Sequence, residues 1–592
     1  MEAAGTDMRN IATGWEIPCE HYCDQPYVVI TKENSWLCVM TTGAGVEGEH
    51  GQHVVSTLSS DQGRTWSRLA DIEPADGPES SWVMPLIVPG GRIYAFYSYN
   101  KDNIRSITGG HFDGRPGERV INRVDTLGYM AFKYSDDHGR TWSKDRHYIP
   151  IRNFAIDRRN RHRGEVQYFW GVGKPVVHDG AVYIGFAKVG DFGPGFMAES
   201  EGAFLKSTNL LTEADPALIS WETLPDGDVG LRAPEGLVAD EHNPVGLGDG
   251  SLYCTYRTVE GHNAHAYSRD GGHTWTAPEH AVYSPGGRKL KHPRAANFVK
   301  RFSNGRYLLW YHNHGRDYKA EPWKAYYDRN PAWVSGGIEQ DGHIHWSQPE
   351  ILLYDDDPAV RMSYPDFIEQ DGAYFATETQ KTVARVHPID ASLLEGMWSQ
   401  ADNREAARAG LVLEYAADQQ PGKLAVSLTG SFPEFPDLRE GGGFSLDLWF
   451  TLASPDEGLI AADSMNEAGV GLRLCTGGNG TLRLELGDGR TGAYWSSDAG
   501  LLQPGSRHHV TVIVDGGPKV ILFLIDGVLC DGGESRQFGW GRFNRDLRSV
   551  TSGCPLTAGG GPGLVVHALR LYNRALRTSE AVGNYQAGLA AL

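Results

Sequence analysis

The chain has 592 residues and a formal net charge of −19, with 74 glycines, 16 tryptophans and 26 tyrosines. That length accommodates two or more domains, and the acidic balance argues against a nucleic-acid partner. No apolar run reaches about 18 residues, so no membrane-spanning helix is expected, and the seven cysteines show no disulfide or metal framework.

In chain order, Met1 to Trp15 lacks a basic segment followed by an apolar core, so no signal peptide is expected. The chain is then either cytoplasmic or secreted with its signal already removed. One signature follows three times: Ser59-Ser60-Asp61-Gln62-Gly63-Arg64-Thr65-Trp66, Ser135-Asp136-Asp137-His138-Gly139-Arg140-Thr141-Trp142 and Ser268-Arg269-Asp270-Gly271-Gly272-His273-Thr274-Trp275. Asp and Gly form a tight turn, and Thr-Trp opens a strand whose indole packs between layers. Weaker copies end at Trp221 and Trp346, so the tryptophans recur every 54 to 79 residues, one four-stranded blade with its loops per step. A further strand pair around Asp366–Thr379 brings the count to six, with the N-terminal segment closing the ring. The signature resembles the Asp-box of sialidase-type propellers. Its turns are structural elements of the outer rim, so no box residue is a catalytic candidate.

Leu393 to Arg408 reads as a short, charged helical linker. Beyond it, Gly441–Phe450, His508–Asp515, Leu522–Val528 and Leu569–Leu576 alternate apolar strands with Gly/Asp turns, the pattern of a two-sheet sandwich. The expected fold is therefore all-β: a six-bladed β-propeller over residues 1–400 and a β-sandwich (jelly roll) over 401–592. The second part resembles laminin-G/concanavalin-like domains. Such domains bind glycans in some cases, sometimes with calcium, but no Asp/Asn cluster here supports calcium and no cofactor is expected.

The sialidase resemblance implies a Tyr nucleophile served by a Glu, an acid/base, and three Arg that clamp a substrate carboxylate. Met362-Ser363-Tyr364-Pro365-Asp366-Phe367 is similar to the segment holding the nucleophile, and Ala233-Pro234-Glu235-Gly236 with Tyr256-Arg257 to that holding the Glu and the second Arg. Tyr364 is then the nucleophile, Glu235 its base and Arg257 a clamp. A phenol with a pKa near 10 needs such a base at neutral pH. Where the family's first Arg stands, this chain has Cys23-Asp24-Gln25-Pro26-Tyr27; Asp24 suits sugar hydroxyls or a cation, and the substitution predicts that ordinary sialosides are poor substrates. In Glu47–His53, Glu49, His50 or His53 takes the place of the acid/base.

Lys174, Arg294, Lys381, Arg385 and Glu378 are further candidates for substrate binding, with Arg361 weighed beside Arg294 and Arg385 as a third clamp. His292-Pro293-Arg294 and His312-Asn313-His314 each resemble half of a metal site, but spacing fixes no third ligand, so no metal is assigned. The expected activity is exo-acting hydrolysis of a terminal sugar, an acidic one favoured, from an oligo- or polysaccharide. A polysaccharide lyase using His and Tyr on uronic-acid glycans, and a non-catalytic glycan-binding protein, stay open as alternatives.

Overall fold

A computed structural model describes residues 7–123, 125–416, 434–454, 456–559 and 563–589. The first six residues of the N-terminal segment discussed above lie outside the described residues. The chain is all-β and divides into two compact units: residues 11–346 with 357–391, and residues 1–10, 347–356 and 392–592. Among the described residues no helix is long and apolar enough to cross a membrane.

The first unit is a six-bladed propeller. Blade 1 runs from the axis outward as Tyr22–Ile30, Trp36–Gly43, His53–Ser59 and Ala70–Asp71, each strand antiparallel to the last. Blades 2 to 5 repeat this meander, with inner strands at Ser80–Ile87, at Phe169–Trp170 and Val176–His178, at Ala239–Gly246 and at Phe298–Arg301. Blade 6 contributes Ser363–Gln370, Ala373–Thr379 and Ala384–Ile389, and its outermost strand is Trp15–Ile17, paired Trp15 to Val386. The N-terminal segment thus closes the ring. Across the seam Trp36 Nε1 donates to Gln370 Oε1 at 2.6 Å, and Asp366 Oδ2 accepts from the Val28 backbone N–H at 2.9 Å.

The Asp-boxes join the third strand of a blade to the fourth. In the first, Asp61 accepts from the Thr65 N–H at 2.9 Å and the Thr65 hydroxyl at 2.7 Å, while Ser59 Oγ accepts from the Gly63 N–H at 2.9 Å. Each box then leans on the preceding blade. Trp142 Nε1 donates to Ser56 Oγ, Trp275 stacks on Phe204 with centroids 4.8 Å apart, and a Cβ on Gly139 would stand 2.5 Å from Leu37 Cδ1. With φ at +88°, Gly139 is also in the left-handed region that other residues resist.

In the second unit two antiparallel sheets enclose one core. Leu446, Leu448 and Phe450 of Gly443–Leu452 come from one sheet, and Leu472 and Leu474 of Val470–Gly477 with Leu482, Leu484 and Leu486 of Thr481–Asp488 from the other. In Thr481–Asp488 buried leucines alternate with Thr481, Arg483 and Glu485, the period of two expected of a half-buried strand. The expected linker helix is Ala391–Trp398, ending well before Arg408.

Because the boxes tie blades together at the rim, Asp61→Ala is expected to destabilise the propeller by about 1–2 kcal/mol through lost hydrogen bonds. Gly139→Ala is expected to cost at least as much through strain and overlap. Thermal denaturation of both variants, with ligand binding measured alongside, checks that stability falls while affinity holds.

Candidate active site

Four inner strands break their ladder at the same point. Pairing skips from Asp24 to Tyr27 in blade 1, Ser81 to Met84 in blade 2, Asp240 to Asn243 in blade 4 and Ser363 to Asp366 in blade 6. The first residue inside each skip has positive φ: Gln25 at 56°, Trp82 at 61°, Glu241 at 59° and Tyr364 at 47°. Each such residue costs about 1–3 kcal/mol of backbone strain, and such strain gathers at functional sites. A proline lies one or three residues further on in every case (Pro26, Pro85, Pro244, Pro365), as expected where a strand bulges.

The break in blade 6 places Ser363 and Tyr364 on the wall of a cavity of about 290 Å3. The Tyr364 hydroxyl donates to Glu241 Oε1 at 2.8 Å. Arg257 holds the same oxygen at 2.8 Å and Asp240 Oδ2 at 2.7 Å. Burial, then the Glu241 carboxylate, pushes the Tyr364 phenol well above its ordinary pKa, with Arg257 opposing, so the free protein keeps it protonated. Arg123, Arg257, Arg329, Arg361 and Lys381 all line the cavity, against one lining carboxylate, Glu47.

Most of these cations are answered. Lys381 Nζ lies 2.5 Å from Asp24 and 3.2 Å from Glu47, and 4.5 Å from the Tyr364 ring centroid. Arg123 pairs with Glu47 at 3.1 Å and with Asp125. Burial alone would raise Glu47, but Lys381 and Arg123 outweigh it and hold its pKa at about 2. Asp24, wholly buried, is pushed by that burial up to about 6 in spite of Lys381. Arg329 differs. It is only 6% exposed, and its hydrogen bonds go to Ser363 Oγ at 2.7 Å and to the Tyr326 and Arg294 carbonyls. No carboxylate pairs with it among the described residues. Arg361 is exposed, with its guanidinium 4.9 Å from the Tyr327 ring.

The expected residues divide accordingly. Tyr364, Arg257 and Lys381 line the cavity, and Asp24, outside the lining, is paired with Lys381. Glu235 does not meet Tyr364: its side chain is 57% exposed on a loop and pairs with Lys319 at 2.7 Å, and the carboxylate bonded to the Tyr364 hydroxyl is that of Glu241. Of the 47–53 loop it is Glu47 that lines the cavity, and Glu49, His50 and His53 stand outside its lining. Gly48, with φ at 84°, turns the chain away just after Glu47. Glu49 closes that turn on the Val46 N–H, His50 is exposed beside Glu79, and His53 is buried against the Glu73 carbonyl.

Four other candidates also stand outside. Lys174 is bonded to Asp366 and the Val28 carbonyl, both at 2.7 Å. Arg294 is fully buried behind the wall, on the Gly195 and Met197 carbonyls. Glu378 is buried with Gln380 and His387, and Arg385 bonds Gln380 and Glu16. His292 and His314 are buried, which lowers their pKa values to about 3 and about 4. Among the described residues no three His, Cys, Asp or Glu side chains are placed to hold a metal ion.

Residues 84–376 match the family model described as a BNR repeat-like domain. No curated protein matches the chain. Similar solved structures include a protein of unknown function from Dyadobacter fermentans (16% identity, 64% of this chain and 97% of that one, TM-score 0.44). They also include Trypanosoma rangeli sialidase (14% identity, 96% and 94%, TM-score 0.41) and a variant of NanB sialidase from Streptococcus pneumoniae (12% identity, 64% and 71%, TM-score 0.44).

The Asp24 pKa of about 6 lies above its unfolded value near 3.9, so the folded state binds this proton more tightly. That contribution to stability is complete below about pH 4 and lost as pH rises to about 6. Relative to Asp24→Asn, the wild-type melting temperature is expected to fall across that window and to level off above it. Melting curves of the pair across the window check the sign, and a constant difference would refute it.

Proposed function

We propose that this chain, whose propeller is of the BNR-repeat, sialidase-superfamily type, is an exo-acting glycoside hydrolase that releases a terminal acidic sugar. The observation that carries the reading is Arg329, a nearly buried guanidinium with no carboxylate paired to it among the described residues, on the wall of the same cavity as Tyr364, whose hydroxyl is bonded to Glu241 behind it. An uncompensated buried charge is costly, and a substrate carboxylate supplies the missing partner. Arg361 and Lys381 add to that clamp, while Arg257 chiefly fixes Glu241.

Tyr364 Oη attacks the anomeric carbon as its proton passes to Glu241, and the bond to the leaving oxygen breaks. Glu47 gives that oxygen a proton. In the free protein Glu47 is ionised; a bound carboxylate that takes up the charge of Lys381 raises its hold on a proton. Water, activated by the resulting Glu47 carboxylate, then displaces the sugar, and Tyr364 recovers its proton from Glu241. A neutral phenol suits an anomeric carbon close to a carboxylate because it meets no charge repulsion. Among the described residues no histidine lines the cavity, which favours hydrolysis over elimination by a His–Tyr pair.

Methylumbelliferyl glycosides of a nonulosonic acid, a uronic acid and glucose test the reading. An acidic glycoside is expected to be cleaved and the glucoside not. Tyr364→Phe should lower turnover by about a hundredfold or more, with a stability change near the ~1 kcal/mol of one hydrogen bond. Arg329→Met should raise KM by about tenfold or more. Near-wild-type turnover in Tyr364→Phe, or equal cleavage of the glucoside, would overturn it.

A further inference from the structure

A second cavity, of about 480 Å3, lies at the other end of the inner strands. Tyr364, Glu241 and Asp24 sit near the starts of their strands; this cavity is lined by the later part of the blade 4 strand, Asn243 to Gly246, by the blade 5 strand Phe298–Arg301 and by Lys174 to His178 of blade 3. Its size falls in the range of small-molecule sites, about 300–1,000 Å3.

The lining carries Lys174, His178, Lys300 and Arg301 and, among the described residues, no carboxylate. Lys174 is neutralised by Asp366 at 2.7 Å. Lys300 is half-buried and its ammonium has no hydrogen-bond or ion-pair partner among the described residues; burial, then the charge of Lys174, lowers its pKa. The Arg301 guanidinium stands 5.9 Å from the Tyr307 ring, with no carboxylate paired to it among the described residues. Acidic residues outnumber basic ones in this chain by 74 to 55, so the cations are not left over for want of acids. Phe298 and Phe302 add apolar wall on which the body of a ligand can rest.

We infer that this cavity is a second, non-catalytic binding site for a sugar-sized ligand bearing an oxyanion, with Lys300 and Arg301 taking the charge. The site shares no lining residue with the Tyr364 cavity and stands independently of the hydrolase reading.

Calorimetric titration of the full chain with glucose 6-phosphate, inorganic phosphate and glucose tests it. Glucose 6-phosphate is expected to bind more tightly than phosphate, and glucose not measurably. Lys300→Met and Arg301→Met should each weaken glucose 6-phosphate by about tenfold or more, Lys300→Arg should restore binding to within about threefold, and Arg329→Met should leave it unchanged. Melting temperatures at or above wild type in Lys300→Met confirm an intact fold, since a half-buried, unanswered charge has been removed. Unchanged binding in Lys300→Met, loss instead in Arg329→Met, or phosphate binding as tightly as glucose 6-phosphate would each overturn the assignment.

Discussion

The chemistry of this propeller depends on a two-residue break at the head of its inner strands. An uninterrupted strand alternates its side chains between two faces, both occupied by neighbouring blades. Left-handed backbone at Gln25, Trp82, Glu241 and Tyr364 interrupts that alternation. The phenol of blade 6 thereby meets the carboxylate of blade 4, and Trp82 packs on Trp170 with centroids 4.2 Å apart. Strain of this kind persists where the surroundings over-determine it, and the ring provides that through its box contacts and the seam sealed by Trp15–Ile17.

Charge is layered around the cavity. Cations face it, and most of their carboxylates stand behind: Asp24 under Lys381, Asp125 beside Arg123, Asp240 against Arg257 and Arg294. Each buried guanidinium or ammonium is thus largely answered before any ligand arrives, and the remainder is concentrated at Arg329 and the exposed Arg361. Rigid, pre-paired groups of this sort keep their geometry with little reorganisation, the property that makes preorganised electrostatics effective in catalysis.

Rim and axis perform different work with similar residue types. Asp61, Asp137 and Asp270 each bond the backbone N–H and hydroxyl of a threonine four residues on. These are local bonds, complete within one turn. Asp24 and Asp366 instead answer Lys381 and Lys174, brought from other blades, so their role exists only once the ring has closed, while Asp240 answers Arg257 across its own blade.

Local patterns were legible in the sequence for that reason. The Asp-box turns, the tryptophan spacing and the alternation of the sandwich strands follow from contacts within a few residues, and they yielded the all-β fold and the six blades. Tyr364, Arg257 and Lys381 were also legible, Tyr364 and Arg257 through resemblance. The four prolines after the breaks were a readable sign of bulges that spacing alone did not exploit. The sequence could not show that Glu241, six residues beyond Glu235, meets Tyr364, or that Glu47 turns inward while Glu49, His50 and His53 do not. Nor could it show that Lys381 answers Asp24 or that Arg329 has no acid partner. Those facts depend on side chains separated by tens to hundreds of residues and on which way a strained backbone points them; only the closed ring decides both.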